Sequence, residues 1–86
     1  MKHTLNGEIG TRKVWLDGKL LSPKRSQKVI NHSPDGFNWG YGGSGPAQLA
    51  LAIMLELTGK ADGYQEFKWT VIAKLPQSDF ETEFDL

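Results

Sequence analysis

Between Pro46 and Leu57 the chain has almost no polar face. Leu49, Leu51, Ile53, Met54, Leu55 and Leu57, with Ala47, Ala50 and Ala52, are interrupted only by Gln48 and Glu56. The flanking residues mark a helix. Pro46 suits the first helical position, where its missing N–H costs nothing. Gly45 is then the cap, Gln48 falls at the third helical position with its amide able to reach back, and Gly59 can close the helix in a left-handed conformation. A helix that is apolar all round must be buried all round. In 86 residues one small sheet covers one side only. A second helix or a second subunit has to cover the rest, so a homo-oligomer is expected.

The other elements are read from period and turn chemistry. Arg12 to Leu21 forms a hairpin, with Val14 and Leu16 on one face and Asp17-Gly18 as a two-residue turn. Asn6-Gly7 is a second turn candidate, between Lys2–Leu5 and Glu8–Thr11. Ser22-Pro23 breaks the hairpin's second strand, and Lys28 to His32 is a short strand candidate. Asp62 with Gln65 has the capping-box spacing, and Tyr64, Phe67, Lys68, Val71, Ile72 and Leu75 follow the period of an amphipathic helix. A strand through Trp69–Ala73 is the alternative, because that run is rich in β-formers. The tail, Asp79 to Leu86, alternates without a break: Phe80, Thr82, Phe84 and Leu86 on one face, Asp79, Glu81, Glu83 and Asp85 on the other. The expected fold is one α+β domain spanning 1–86, a small antiparallel sheet of N-terminal hairpins and C-terminal strand packed on two helices.

Charge and cysteine content narrow the function classes. Ten basic and ten acidic residues cancel, which disfavours both direct nucleic-acid binding and a strongly acidic nucleic-acid mimic. There is no cysteine, hence no disulfide, zinc-thiolate site or thiol nucleophile. No apolar run is long enough to span a bilayer, and the expected location is the cytoplasm. Residues 1–28 carry +5 and residues 46–86 carry −4. Such halves pair within a fold or across a dimer, or one of them forms a face for a charged ligand.

Five of the ten glycines lie between Gly36 and Gly45, interleaved with Trp39 and Tyr41. Glycines this dense raise the ordering cost of folding, and are best explained by sharp turns or by close approach of another group. The segment feeds a helix N-terminus, where free N–H groups favour an anion. Trp39 and Tyr41 offer faces for stacking on a base, and Ser44 offers a hydroxyl. The candidate ligand set is Asn38, Trp39, Gly40, Tyr41, Gly42, Gly43, Ser44, Gly45 and Gln48, with Lys24, Arg25 or Lys28 to neutralise phosphate charge. The other reading makes the same residues purely architectural. Neither a phosphate-binding P-loop nor a dinucleotide fingerprint is present. His32, Asp35 and Ser44 are the ingredients of a hydrolytic triad, but Pro46 stands where a nucleophile elbow requires glycine, and no catalysis is expected. Four alternating carboxylates in the tail are spaced too widely for one small ion, so neither a metal nor a cofactor is implied.

The run from Asn31-His32-Ser33-Pro34 through Gly36-Phe37, Trp39-Gly40-Tyr41-Gly42-Gly43-Ser44-Gly45-Pro46 to Ile53 resembles the signature of a family of small uncharacterised domains from bacteria, archaea and their phages. The later Tyr64-Gln65, Phe67-Lys68, Val71-Ile72-Ala73 and Leu75-Pro76 fit the same pattern, so the likeness covers much of residues 31–76. It brings no activity with it. What it implies is a setting: a small protein borne by a phage or mobile element. Two functions from different classes follow as expectations. One is a non-enzymatic counter-defence protein that sequesters a nucleotide-derived signal at the glycine-aromatic loop. The other is a protein-binding inhibitor of a host nuclease or CRISPR effector, touching its target with Asp79, Glu81, Glu83 and Asp85.

Overall fold

Alternation along the first eight residues runs straight through the expected Asn6-Gly7 turn, and the computed structural model, which describes residues 1–86, shows why. Strand β1 is Lys2–Glu8 without a break. Gly7 lies opposite Phe80 in the ladder, and the Phe80 ring fills the space a Cβ at Gly7 would need. Glycine there serves packing rather than turning. The real turn is Ile9–Arg12, closed by Arg12 N donating to Glu8 O at 2.7 Å. Strands β2 (Lys13–Leu16) and β3 (Lys19–Leu20) form the expected second hairpin. Asp17 and Gly18 both have positive φ, as its two-residue turn requires. The tail forms β4 (Phe80–Asp85), and the antiparallel order is β3-β2-β1-β4.

The inner face of this sheet carries Leu5, Val14, Leu16 and Phe84 into one core with Leu49, Ala50 and Ile53. Those last three belong to the long helix, Ser44–Thr58, in which every residue from Gly45 to Leu55 is buried. Its cover is intrachain. The sheet takes one side, and two short helices and the glycine loop take the rest. The expected need for a second subunit therefore disappears. The first short helix, α1, is Lys24–Val29, where a strand over Lys28–His32 was expected. The long helix is α2, and α3 is Tyr64–Thr70, giving three helices rather than two.

Helix ends follow the sequence at one terminus and depart from it at others. Gly59, at φ 75°, closes α2 with its N–H on Leu55 O at 2.9 Å. At the start, the cap is Gly43 rather than Gly45, so Pro46 sits in the third position of the first turn. Pro46 is tolerated there because no first-turn N–H has an intrahelical acceptor. Helix α3 starts behind Gly63, in the left-handed region, and Asp62 makes no capping bond. It breaks at Val71 (φ −122°) into a 3-10 turn, Ile72–Lys74. The break keeps Ile72 fully buried where a continuous helix was expected to run to Leu75. No helix is long and apolar enough to cross a membrane.

Candidate functional site

Gln48, expected to reach back to the helix cap or toward a ligand, instead faces α1. It is fully buried, and both ends of its amide are used. Its Oε1 accepts the backbone N–H groups of His32 (2.7 Å) and Ser33 (2.9 Å). Its Nε2 donates to Ser26 Oγ (2.8 Å) and Ile30 O (3.1 Å). Those four bonds exhaust an amide's capacity. Gln48 therefore ties the loop at residues 30–33 to α2, and is spent on structure.

The glycine loop is pinned in the same way. Trp39 is completely buried at the centre of the core, edge-on to Phe80 at 5.0 Å between ring centroids. Its Nε1 donates to Ser78 O at 2.9 Å. A base cannot stack on it, so the role expected of Trp39 is not open to it. Gly40, at φ 85°, donates to Ile72 O, and a side chain there would press on Leu75 O. Gly42 lies beneath the Trp69 ring, Gly43 beneath the Tyr41 ring, and Gly45 against Asn38. Close approach accounts for these glycines, but the groups that approach are the chain's own. Lys68 holds its Nζ 4.4 Å from the Trp69 ring centroid, bringing a cation to the same side.

What remains open is the mouth of α2. No side chain caps this helix. Ala47 N bonds Gly43 O, while the amides of Ser44 and Gly45 find no partner in the chain and Pro46 has none to offer. Ser44 and Gly45 border a polar cavity of about 310 Å3, which Arg12, Ser33, Asp35, Asn38 and Tyr41 also line. Arg12 comes from the β1–β2 turn, where it holds φ 62°. Its Nη1 donates to Asn38 Oδ1 at 2.8 Å, and the same oxygen accepts Trp39 N at 2.9 Å. Asn38 thus holds the guanidinium beside the cavity that Ser44 and Gly45 line. Tyr41, 39% exposed, is the aromatic ring left free for stacking.

The expected cations are elsewhere. Lys24, Arg25 and Lys28 lie on α1, and Arg25 approaches Glu56 at 3.7 Å near the far end of α2. At a rise of about 1.5 Å per residue, Glu56 is roughly 18 Å along the axis from Ser44. Arg12 takes their place. Nothing local in the sequence singles it out, because only the turn geometry and the Asn38 bond carry it there. His32 does not complete a triad either, since its Nε2 lies 2.9 Å from Tyr64 Oη.

The acidic tail divides in two. Asp79 precedes β4 and accepts Ile9 N at 2.8 Å, anchoring the first hairpin turn. Glu81, Glu83 and Asp85 stand exposed on the outer face of β4. The one carboxyl held below the usual carboxylate range is elsewhere: Asp17, through its bond to the His3 ring (2.7 Å) and then the Thr4 N–H (2.9 Å).

No curated protein and no solved structure matches this chain. A family model does match, over residues 3–85, taking in the first hairpin and the acidic strand as well as the glycine loop. The chain belongs to the family of unknown function DUF6166.

Proposed function

We propose that this chain is a small non-enzymatic binding protein that holds the phosphate group of a nucleotide-derived molecule at the N-terminus of α2. The observation that carries the reading is that Arg12, Ser44 and Gly45 line one polar cavity and that the first-turn amides of Ser44 and Gly45 have no partner in the chain. Helix-end amides and a guanidinium together match a phosphate's acceptors and charge. Tyr41 supplies the stacking face, and Asp35 supplies acceptors for ribose hydroxyls or base amines, while the Asn38 amide nitrogen can only donate because its oxygen already accepts Arg12 Nη1 and Trp39 N. A cavity of about 310 Å3 lies at the lower end of the usual range for small-molecule sites, about 300–1,000 Å3. Stoichiometric sequestration needs nothing more, and in a phage-borne protein it would blunt a nucleotide signal of host defence.

The test is a titration with inorganic phosphate, AMP, ADP and a cyclic dinucleotide, followed through backbone amide shifts. Saturable shifts centred on Ser44 and Gly45, lost in Arg12→Ala, support the reading. A folded protein whose Ser44 and Gly45 amides ignore the whole panel overturns it.

A second reading rests on β4. Its exposed Glu81, Glu83 and Asp85 give an acidic strip that fits an inhibitor's contact with a basic channel in a host nuclease or CRISPR effector. Reversing those charges would abolish that contact and leave phosphate binding untouched.

A further inference from the structure

Strand β4 ends the sheet, and no strand pairs with its outer edge. The ladder register shows which groups that edge presents. Met1 N donates to Leu86 O and Leu86 N to Met1 O, both at 3.0 Å. Antiparallel pairs alternate between bonded and non-bonded. His3–Phe84, Leu5–Thr82 and Gly7–Phe80 are then the bonded pairs. Glu81, Glu83 and Asp85 turn their N–H and C=O groups away from β1. Thr4 supports the alternation, because its C=O accepts Asp17 N on the opposite side of β1. The residues with free backbone groups are thus the ones with exposed carboxylates. Between the end of β4 and α3 lies a cavity of about 260 Å3, lined by Met54, Phe67, Thr70, Val71 and Asp85.

We infer that β4 accepts an added strand: an extended segment of another protein, with Lys or Arg at alternate positions and apolar residues between them. Strand addition draws affinity from main-chain bonds and specificity from alternate side chains. Three outward N–H and three outward C=O groups supply the first. On the exposed face, basic side chains of the added strand lie across from Glu81 and Glu83. On the other face, its apolar side chains turn toward Met54, Phe67 and Val71. A second copy of this chain fits poorly. Two β4 strands paired antiparallel set carboxylate against carboxylate, an arrangement that keeps sheet edges apart. The inference uses none of the residues of the phosphate cavity, and it rests on the acidic-strand reading only in sharing its carboxylates.

The probe is the blocked peptide acetyl-(Lys-Val)3-Lys-amide, titrated at low salt into isotope-labelled protein. The expected result is saturable amide shifts at 80–85 and 67–71, with slowed hydrogen exchange at Glu81, Glu83 and Asp85. A peptide with Glu in place of Lys, and one N-methylated along one edge, should each bind about tenfold or more weakly. Glu81→Lys with Glu83→Lys should reverse the preference between Lys and Glu peptides. Glu83→Pro removes an outward N–H and leaves the β1 ladder whole, as edge proline can, and should weaken binding while far-ultraviolet circular dichroism stays unchanged. Equal binding of the N-methylated peptide overturns strand addition and leaves a plain acidic contact standing. No shift at β4 with any peptide overturns both. Slowed exchange at those three amides without peptide, growing with protein concentration, shows that the occupant is a second copy and overturns the inference.

Discussion

Replacing Gln48 by Met keeps the length, the burial and the helix propensity of the side chain, and removes four hydrogen bonds at once. The cost can be worked through by what each partner retains. Ser33 N has no other acceptor, and an orphaned buried N–H costs about 1–3 kcal/mol. His32 N and Ile30 O keep their longer bond to each other, at 3.2 Å. Ser26 Oγ still donates to Pro23 O at 2.7 Å. Those three partners are weakened rather than orphaned, at the lower end of about 0.5–1.5 kcal/mol each. His32 and Ser33 are only half-buried, so water recovers part of the loss. The expected destabilisation is about 3 kcal/mol, a large share of the few to about 13 kcal/mol that a chain of this size possesses. The measurement is urea unfolding followed by circular dichroism, repeated for Ser26→Ala and the double variant. Ser26 and Gln48 share one bond, so the cycle should return a coupling of about 0.5–1 kcal/mol. A Gln48→Met protein within about 0.5 kcal/mol of wild type, below the range for losing even one satisfied buried group, would refute the clamp. So would strictly additive variants.

Other outcomes follow from the same contacts. Gly40→Ala should cost about 2 kcal/mol or more, since φ is 85° and the new carbon meets Leu75 O, a backbone atom that cannot rotate away. For Gly42→Ala the nearest atoms are all in the ring of Trp69, a side chain 56% exposed rather than fixed backbone, so less than about 1 kcal/mol is expected. Thermal unfolding of the pair separates them. Trp39→Phe should lose about 2–3 kcal/mol through its unpartnered Ser78 carbonyl and the space left in the core, and the blue-shifted part of the tryptophan emission should vanish with it. Asp17 is held below the ordinary carboxylate pKa in the folded chain, so its hydrogen bonds to the His3 ring and the Thr4 N–H add stability above about pH 4. That contribution fades as pH falls through the lowered value. Asp17→Asn should flatten the acid limb of the stability curve, and an unchanged limb would show that His3 and Thr4 do not act through it.

What is legible in this sequence is what depends on near neighbours. Asp17-Gly18 announces its turn because both positions must take positive φ. The tail alternates because one face is packed into the core, Phe84 on Phe67 and Phe80 on Trp39, and the other is wet, and Gly59 closes α2 as any C-terminal glycine does. The misreadings share one physical origin. Gly7 looks like a turn residue until Phe80, 73 positions later in the chain, lays its ring over it. Gln48 looks like a capping side chain until α1 docks beside it with a matching set of donors and acceptors. Arg12 reads as a strand residue until the hairpin turn and Asn38 set it over the mouth of α2. Each depends on a partner remote in sequence, and no window along the chain contains both halves of such a contact.

The glycine-aromatic loop shows how packing alone can account for most of such a signal. In a chain of 86 residues the core is small, and the loop's large apolar residues are drawn into it: Phe37 and Trp39 are buried, and only Tyr41 stays at the surface. The loop glycines then exist to admit Trp69, Tyr41, Asn38 and Gln77, so most loop substitutions perturb folding before they perturb any ligand. Any recognition here would fall to atoms that packing does not consume: the amides of Ser44 and Gly45, the exposed Tyr41 ring and the Arg12 guanidinium. Of these, Arg12 is exposed, sits in a turn on another element, and gives up one surface hydrogen bond when truncated. It is therefore the position where binding and stability come apart. Arg12→Ala should lose less than about 1 kcal/mol of stability, because exposed polar contacts are worth little. If the cavity holds phosphate, the same change should weaken that binding about tenfold or more, since a charged partner of a bound anion is worth about 1.5–3 kcal/mol. Equal small losses in both quantities would mean that the cavity at the mouth of α2 is architecture, and would move the search for function to the open edge of β4.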